Sequence, residues 1–380
     1  MVYVTKMQSP MYRQMSVEDF LLNDDFSPVF NQNISNTRTV VFSETPHMLN
    51  EKVDVGALIL KLQTFNKMND ELRKVPRESL YHTFYIPKHS GHGLRRIDAP
   101  CGNLMDALKN LRTIFENDFG ALYHTSAFAY IRNRSTLSAV KRHQANESRW
   151  FAKFDLSNFF GSTTLDFAMQ QFSMIFPFSE IVELDSGKTA LRDALELAFL
   201  NGGLPQGTPI SPLITNVMMI PIDFSLTKRL REFEGTKMVY TRYADDFLVS
   251  SKYDFNCRKV EQVIKDTLAE FGAPFNLNTE KTRYGSSAGR NWNLGVMLNK
   301  DNEITVGYRK KKQFKAMLTN YVLDTLHGNP WKNEDVMVLN GYRNYYKMVE
   351  GDTIDKIVKH IGDKFGADIP ALIKVDLRRN

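Results

Sequence analysis

Two aspartates stand side by side in RYADDFLVS (242–250), with apolar residues before them (Met238, Val239, Tyr240) and after them (Phe247, Leu248, Val249). Apolar runs on both sides of a short polar turn read as a hairpin whose strands enter a core. A carboxylate left unpaired at such a tip is costly, so Asp245 and Asp246 call for a cation. A hard divalent ion such as Mg²⁺ takes oxygen ligands and keeps positions open for phosphate and water. Neighbouring side chains of a strand point to opposite faces, so a third carboxylate from another element is expected. Asp155 is the candidate, because it closes a second apolar strand, FAKFD. With those strands paired the three acids meet at one sheet edge, where two ions roughly 3.5–4 Å apart would clamp an in-line phosphoryl displacement. Taken alone, an Asp-Asp pair is also an ordinary solvated turn and Asp155 an ordinary helix N-cap; the acids by themselves leave both readings open.

The elements that must hold these acids follow from periodicity. Leu58, Leu60, Leu62, Phe65 and Met68 recur at helical spacing within 53–74. YHTFYIPKHSGHGLRRIDAP (81–100) reads as a hairpin with HSGHG as its loop. After the Asp155 strand a helix is expected from about Thr163, with Asp166 completing a capping-box-like start and Leu165, Met169, Phe172 and Phe176 on its core face. A second apolar helix spans 187–200. A third runs from LPQGTPISP toward Glu234 with a kink at Pro221. A fourth spans 254–271, has Val260, Val263, Ile264 and Leu268 inside and stops at Gly272. Strand, helix, helix, strand, turn, strand between 150 and 255 gives a small sheet backed by helices, an α+β class. Beyond 305 the chain reads as helical and basic.

Composition sets the outer limits. The 380 residues are 42% hydrophobic and 24% charged, ordinary for a globular chain, with a formal net charge of +6 that favours an anionic partner. Cys101 and Cys257 lie far apart without metal-site spacing, which fits a reducing compartment. MVYVTKMQSPMYRQ lacks the apolar core of a signal peptide. The most apolar segment, PLITNVMMIPI, is interrupted by Asn216 and Pro221, well short of the ~18 residues of a membrane span. A cytoplasmic protein is expected, with no membrane partner.

Seven blocks in order carry a resemblance: FYIPKHSGHGLRRIDAP, AFAYIRNRST, FDLSNFFGS, GGLPQGTPISPLITN, YADD, NLNTEKT and NLGVML, together spanning about 80–300. In these the chain resembles the reverse transcriptases of the bacterial branch that includes group II intron, retron and defence-associated enzymes. The resemblance implies a right-hand polymerase. An N-terminal arm and helix would occupy 1–75, fingers 76–149, a palm 150–304 with fingers-side helices inserted at about 163–202, and a helical thumb and tail 305–380.

It further implies attack of a primer 3′-hydroxyl on the α-phosphate of a deoxynucleoside triphosphate, directed by an RNA template, with DNA as product. Asp155 and Asp245 would hold two Mg²⁺ ions, replaceable by Mn²⁺, with Asp246 in support. Lys281 would protonate the leaving pyrophosphate. Lys88 and Arg95 would cover the triphosphate, Arg through bidentate bonds. The Phe160 ring would clash with a 2′-hydroxyl. Gln206 and Gly207 would meet the nucleotide, and Tyr243 the primer-template pair. Lys310, Lys311, Lys312 and Lys315, in YRKKKQFKAML, would lie on backbone phosphates, whereas the aromatics of NGYRNYYKMVEG would be thumb core.

Against the retron pattern, no NAxxH block is found, and ITVGYRKKK stands where VTG is expected. These departures direct the reading toward enzymes of phage defence and abortive infection, using a bound noncoding RNA. A partner protein or a second copy would complete the assembly. A template-independent or protein-primed polymerase needs the same acids. A silent RNA-binding scaffold does not need them.

Overall fold

The computed structural model describes residues 53–87, 93–119, 123–233, 236–287 and 295–378, and the backbone of a short antiparallel pairing of Val29–Phe30 with Val40–Val41. Helix α1 (Val55–Met68) starts at Asp54, whose carboxylate accepts the Ala57 N–H. Its buried stripe is Leu58, Ile59, Leu62 and Phe65; Leu60 and Met68, expected inside, are exposed because they fall off that stripe. Strands β1 (Tyr81–Pro87) and β2 (Leu94–Pro100) form the expected hairpin, in register from Tyr81↔Pro100 to Pro87↔Leu94. Helices α2 (Gly102–Phe119) and α3 (Thr136–Ala145) follow.

Strand β3 (Trp150–Asp155) ends in a single helical turn, α4 (Phe159–Ser162), and helix α5 (Leu165–Phe172). The N-cap of α5 is Thr164, one residue later than expected; Thr163 instead bonds back to the Phe159 carbonyl. Helix α5 stops at Phe172, so Phe176 is not on its face. Helix α6 (Asp185–Glu196) precedes the glycine-rich loop. The long helix after that loop is two helices, α7 (Ser211–Met218) and α8 (Ile220–Arg231), each with a proline in its first turn. Then come β4 (Met238–Tyr243), β5 (Asp246–Ser251), α9 (Cys257–Glu270) and β6 (Arg283–Ser286).

The four strands pair antiparallel in the order β4-β5-β3-β6. Residues directly opposite in such a sheet share a face. One face sends Ala152, Phe154, Phe247, Val249 and Tyr240 into the main core, against α1, α5, α6, α7, α8 and α9. The other carries Phe151 and Leu248, packed with Val140, Val296 and Leu298.

A short hairpin, β7 (Met297–Leu298) with β8 (Ile304–Thr305), leads to α10 (Tyr308–Leu326), α11 (Asn333–Phe365) and α12 (Ile369–Asp376). These helices build a second core around Phe314, Leu318, Tyr321, Val336, Leu339 and Ile354. Of the aromatics expected there Tyr346 is buried; Tyr342 is exposed, and Tyr345 is partly buried against both the second core and the cluster on the sheet's outer face. Helix α11 is broken at Glu350 (φ −138°, ψ 59°).

Candidate active site

The strand register brings the acids together. Asp155 ends β3 directly opposite Asp246, the first residue of β5, so both carboxylates leave the same face. Asp245 lies in the turn just before it. That turn is held at φ +57° by Ala244, a left-handed conformation that costs a residue other than glycine about 1 kcal/mol or more. The Leu156 N–H donates to the Asp245 carbonyl at 3.0 Å, so the end of β3 grips the turn. Lys153, two residues before Asp155 and therefore on the same face, donates to Asp246 Oδ2 at 2.8 Å. Lys281, from the turn before β6, donates to both oxygens of Asp155, at 2.9 and 3.1 Å.

Among the described residues no cation is paired with Asp245. Burial, then the charges of Asp246 and Asp155, push its carboxyl up to about 6. Asp246 is also raised by burial, with Lys153 opposing. The hydrogen bond to Asp155 holds Lys281 above its ordinary range. An ionised Asp245 in this setting is short of positive charge, and hard carboxylate oxygens are the donors that Mg²⁺ prefers. In this respect the residues fit a divalent cation. They do not form a closed cage: among the described residues no three His, Cys, Asp or Glu side chains are grouped to hold a metal. The three acids share one edge of the sheet, where lysines occupy Asp155 and Asp246.

The glycine-rich loop is wedged between hairpin and palm. The Asp98 N–H donates to the Gln206 carbonyl at 2.7 Å, and a Cβ on Gly207 (φ +118°) would lie 2.8 Å from Ile97 Cγ2. On the other side the Leu204 N–H donates to the Phe160 carbonyl at 3.0 Å, and a Cβ on Gly203 would strike the Gly161 backbone. Phe160 is half-buried beside the fully packed Phe159, so its ring is not wholly in the core. Arg95 is exposed on β2 opposite Ile86. Lys88 lies outside the described residues. Tyr243 is half-buried, and burial, then Tyr345, raise its hydroxyl.

The basic run divides in two. Lys312 and Lys315 are exposed. Lys310 donates to the Gly295 carbonyl at 3.0 Å, and Lys311 is ion-paired with Glu350 at 2.7 Å, so these two serve the fold.

Sequence reasoning missed Lys153, although the two-residue strand period was a usable signal. It also missed a buried network under the catalytic turn, in which Arg242, Asp223 and Asn216 meet. Tyr130, held at φ +60° and exposed, was likewise missed; burial and the Asp245 charge raise its hydroxyl.

The family described as "Reverse transcriptase (RNA-dependent DNA polymerase)" matches residues 86–316. The chain belongs to the reverse transcriptases. Its activity class is RNA-directed DNA polymerase, with RNA as template and deoxynucleoside triphosphates as substrates, and its α+β architecture is that of a right-hand polymerase. It is 29% identical to the Retron Ec73 reverse transcriptase of Escherichia coli over 62% of this chain and 74% of that one. It is 26% identical to the Retron Ec83 enzyme of the same organism over 77% and 91%. It is 31% identical to the Retron Mx162 reverse transcriptase of Myxococcus xanthus over 47% of this chain and 37% of that one.

Among solved structures, telomerase from Candida albicans with a fragment of telomeric RNA aligns at 10% identity and TM-score 0.44, covering 84% of this chain and 65% of that one. Apo telomerase from Candida tropicalis aligns at 14% and 0.43, covering 81% and 66%. The departures from retron blocks point away from retrons, whereas these similar proteins are retron enzymes, matched over 243 and 300 residues. No helix among the described residues is long and apolar enough to cross a membrane.

Proposed function

We propose that this reverse transcriptase copies a bound, structured noncoding RNA, and that divalent cations held at the β3–β5 edge drive nucleotide addition. The observation that carries the catalytic part is the pairing of Asp155 with Asp246 beside a half-buried Asp245 whose carboxyl is raised to about 6. Asp155 and Asp245 would hold the cations and Asp246 would support them. Bound there, the cations would lower the pKa of the primer hydroxyl and offset charge on the leaving phosphates.

The chain's own side chains do the rest. Lys281 releases Asp155 to the cations and is then placed to give a proton to pyrophosphate. Lys153 keeps Asp246 neutralised. Arg95 draws in the triphosphate. The Phe160 ring closes the space of a 2′-hydroxyl; Phe160→Ala should raise ribonucleotide incorporation about tenfold or more relative to deoxynucleotide.

Support for the RNA comes from the retron relatives and from exposed Lys312 and Lys315 past the palm. A role in phage defence is proposed on the resemblance of the blocks. The deciding experiment purifies the protein from its host, sequences the co-purifying RNA, and sequences the DNA made on adding Mg²⁺ and four deoxynucleotides. Product complementary to one abundant RNA supports the reading, and product unrelated to any bound RNA overturns it. Phage plating on cells with wild-type or Asp245→Asn protein tests the defence role.

A further inference from the structure

Arg242 points away from the acids. It sits on β4 opposite Phe247, on the core face of the sheet, directly under the turn that carries Asp245. Its side chain is 0% exposed, as is that of Asp223 on α8. The guanidinium makes a two-pronged contact to Asp223, Nε to Oδ1 at 2.9 Å and Nη2 to Oδ2 at 2.8 Å. Its remaining prong, Nη1, donates to Asn216 Oδ1 on α7 at 3.1 Å and to the Ala244 carbonyl at 3.3 Å. The other ends of the network are anchored too. Tyr240 donates its hydroxyl to Asp223 at 2.9 Å, and Asn216 Nδ2 donates to the Ala129 carbonyl at 2.8 Å. The Arg242 main chain pairs with the 126–128 segment, receiving from the Phe128 N–H and donating to the Ser126 carbonyl.

The effect on the turn is specific. Asp245 has one carbonyl on each side of its Cα: that of Ala244, taken by Arg242, and its own, taken by the Leu156 N–H. Both peptides that orient the Asp245 side chain are therefore held from the interior, while mutual repulsion of the acids and the left-handed Ala244 both favour relaxation. Helices α7 and α8, which supply the other contacts, continue directly from the glycine-rich loop. We infer that Arg242 is a positioning residue for catalysis: by clamping the Ala244 carbonyl to Asp223 and Asn216 it fixes where Asp245 presents its carboxylate to a divalent cation, and ties that position to the nucleotide loop. A lysine cannot replace it, because one ammonium cannot fork to Asp223 and still span Asn216 and Ala244.

The inference rests on the divalent-cation reading of the edge. The test is Arg242→Lys in the full chain, with Mn²⁺ binding followed by electron paramagnetic resonance without nucleotide and by single-turnover incorporation across Mg²⁺ concentration. Mn²⁺ affinity is expected to fall about tenfold, with the Mg²⁺ requirement raised in parallel and nucleotide KM within about twofold.

Leu268→Ala, a core change in α9 away from the edge, controls for lost stability and should leave Mn²⁺ affinity unchanged. Should Arg242→Lys fail to fold, Asn216→Ser keeps the ion pair and removes the carboxamide between Arg242 and Ala129; the same direction of change is expected. Unchanged Mn²⁺ affinity in whichever of these variants folds, with Asp245→Asn abolishing it, overturns the positioning role alone. Unchanged affinity in Asp245→Asn overturns the cation reading beneath it.

Discussion

The two faces of the four-stranded sheet carry opposite kinds of ion pair. On the inner face Arg242 and Asp223 are both fully buried and share their remaining hydrogen-bonding capacity with Tyr240, Asn216 and Ala244. On the outer face Lys281 reaches Asp155 with 60% of its side chain exposed, against 10% for the acid. The inner pair cannot part without stranding a charge in the core, so it behaves as fixed structure. The outer lysine loses little by swinging into water, so it can yield its carboxylate to another cation. One sheet thus joins an immovable support to a replaceable counter-ion, as expected of a site that must keep its geometry while ligands come and go.

Asp245→Asn is the sharpest way to break the outer face. Incorporation should fall roughly 10³-fold or more. The metal-free protein should become more stable at neutral pH, for a reason whose sign follows from the raised carboxyl. A folded-state pKa of about 6, above the ordinary 3.8, means that the native state holds this proton more tightly than the unfolded chain. At this group stability declines as pH rises from about 4 to 6 and stays reduced above that. Melting curves of both proteins at pH 4 and 8 should converge at the acid end; a gap independent of pH would contradict the account.

Breaking the inner face should also act strongly on stability. Arg242→Met alone is expected to cost about 3–5 kcal/mol in denaturant titration, because Asp223 remains buried and unpaired. Adding Asp223→Leu should recover much of that. A double variant no better than the single would show that the pair is not the main term.

Lys281→Met should do the reverse of Arg242→Met. Stability should move by less than about 1 kcal/mol, while turnover drops roughly 10²-fold or more, read as kcat with KM for nucleotide little changed. Equal losses in both quantities would erase the contrast between the two faces.

The smallest effect is expected in the basic helix. Lys312→Gln with Lys315→Gln should lower the slope of log affinity for primer-template against log salt by about 0.9 for each phosphate that is no longer neutralised. Lys311→Gln should leave the slope alone and lower the melting temperature through Glu350.

The outer face was readable because its signals are local. A period of two, apolar flanks and adjacent acids place Asp155, Asp245 and Asp246 at a strand edge from letters alone, and the same period would have found Lys153. The inner face was not readable. An arginine between strand residues reads as a solvated edge, and its partner lies 19 positions away in an apolar helix. Asn216, which interrupts the PLITNVMMIPI run, registers in sequence only as a break in hydrophobicity; its purpose needs the third dimension. The partners of the basic run were hidden for a related reason. Lys311 looks like its neighbours, and the carboxylate that claims it lies 39 residues downstream. The stop of α9 at Gly272 was legible, but the start of α5 was not, because Thr164 rather than Thr163 accepts the Phe167 N–H and no composition rule chooses between adjacent threonines.

Glu350 bears on how far the last three helices can travel. Where α11 loses its helical turn, this one carboxylate takes the Val306 N–H, the Thr305 hydroxyl and the Lys311 ammonium. Upstream of it, Tyr345 and Val349 rest on the cluster on the sheet's outer face; downstream, Ile354 and Val358 rest only on the second core. The long rod is therefore two levers welded at an elbow, and a single acid sets the angle between them.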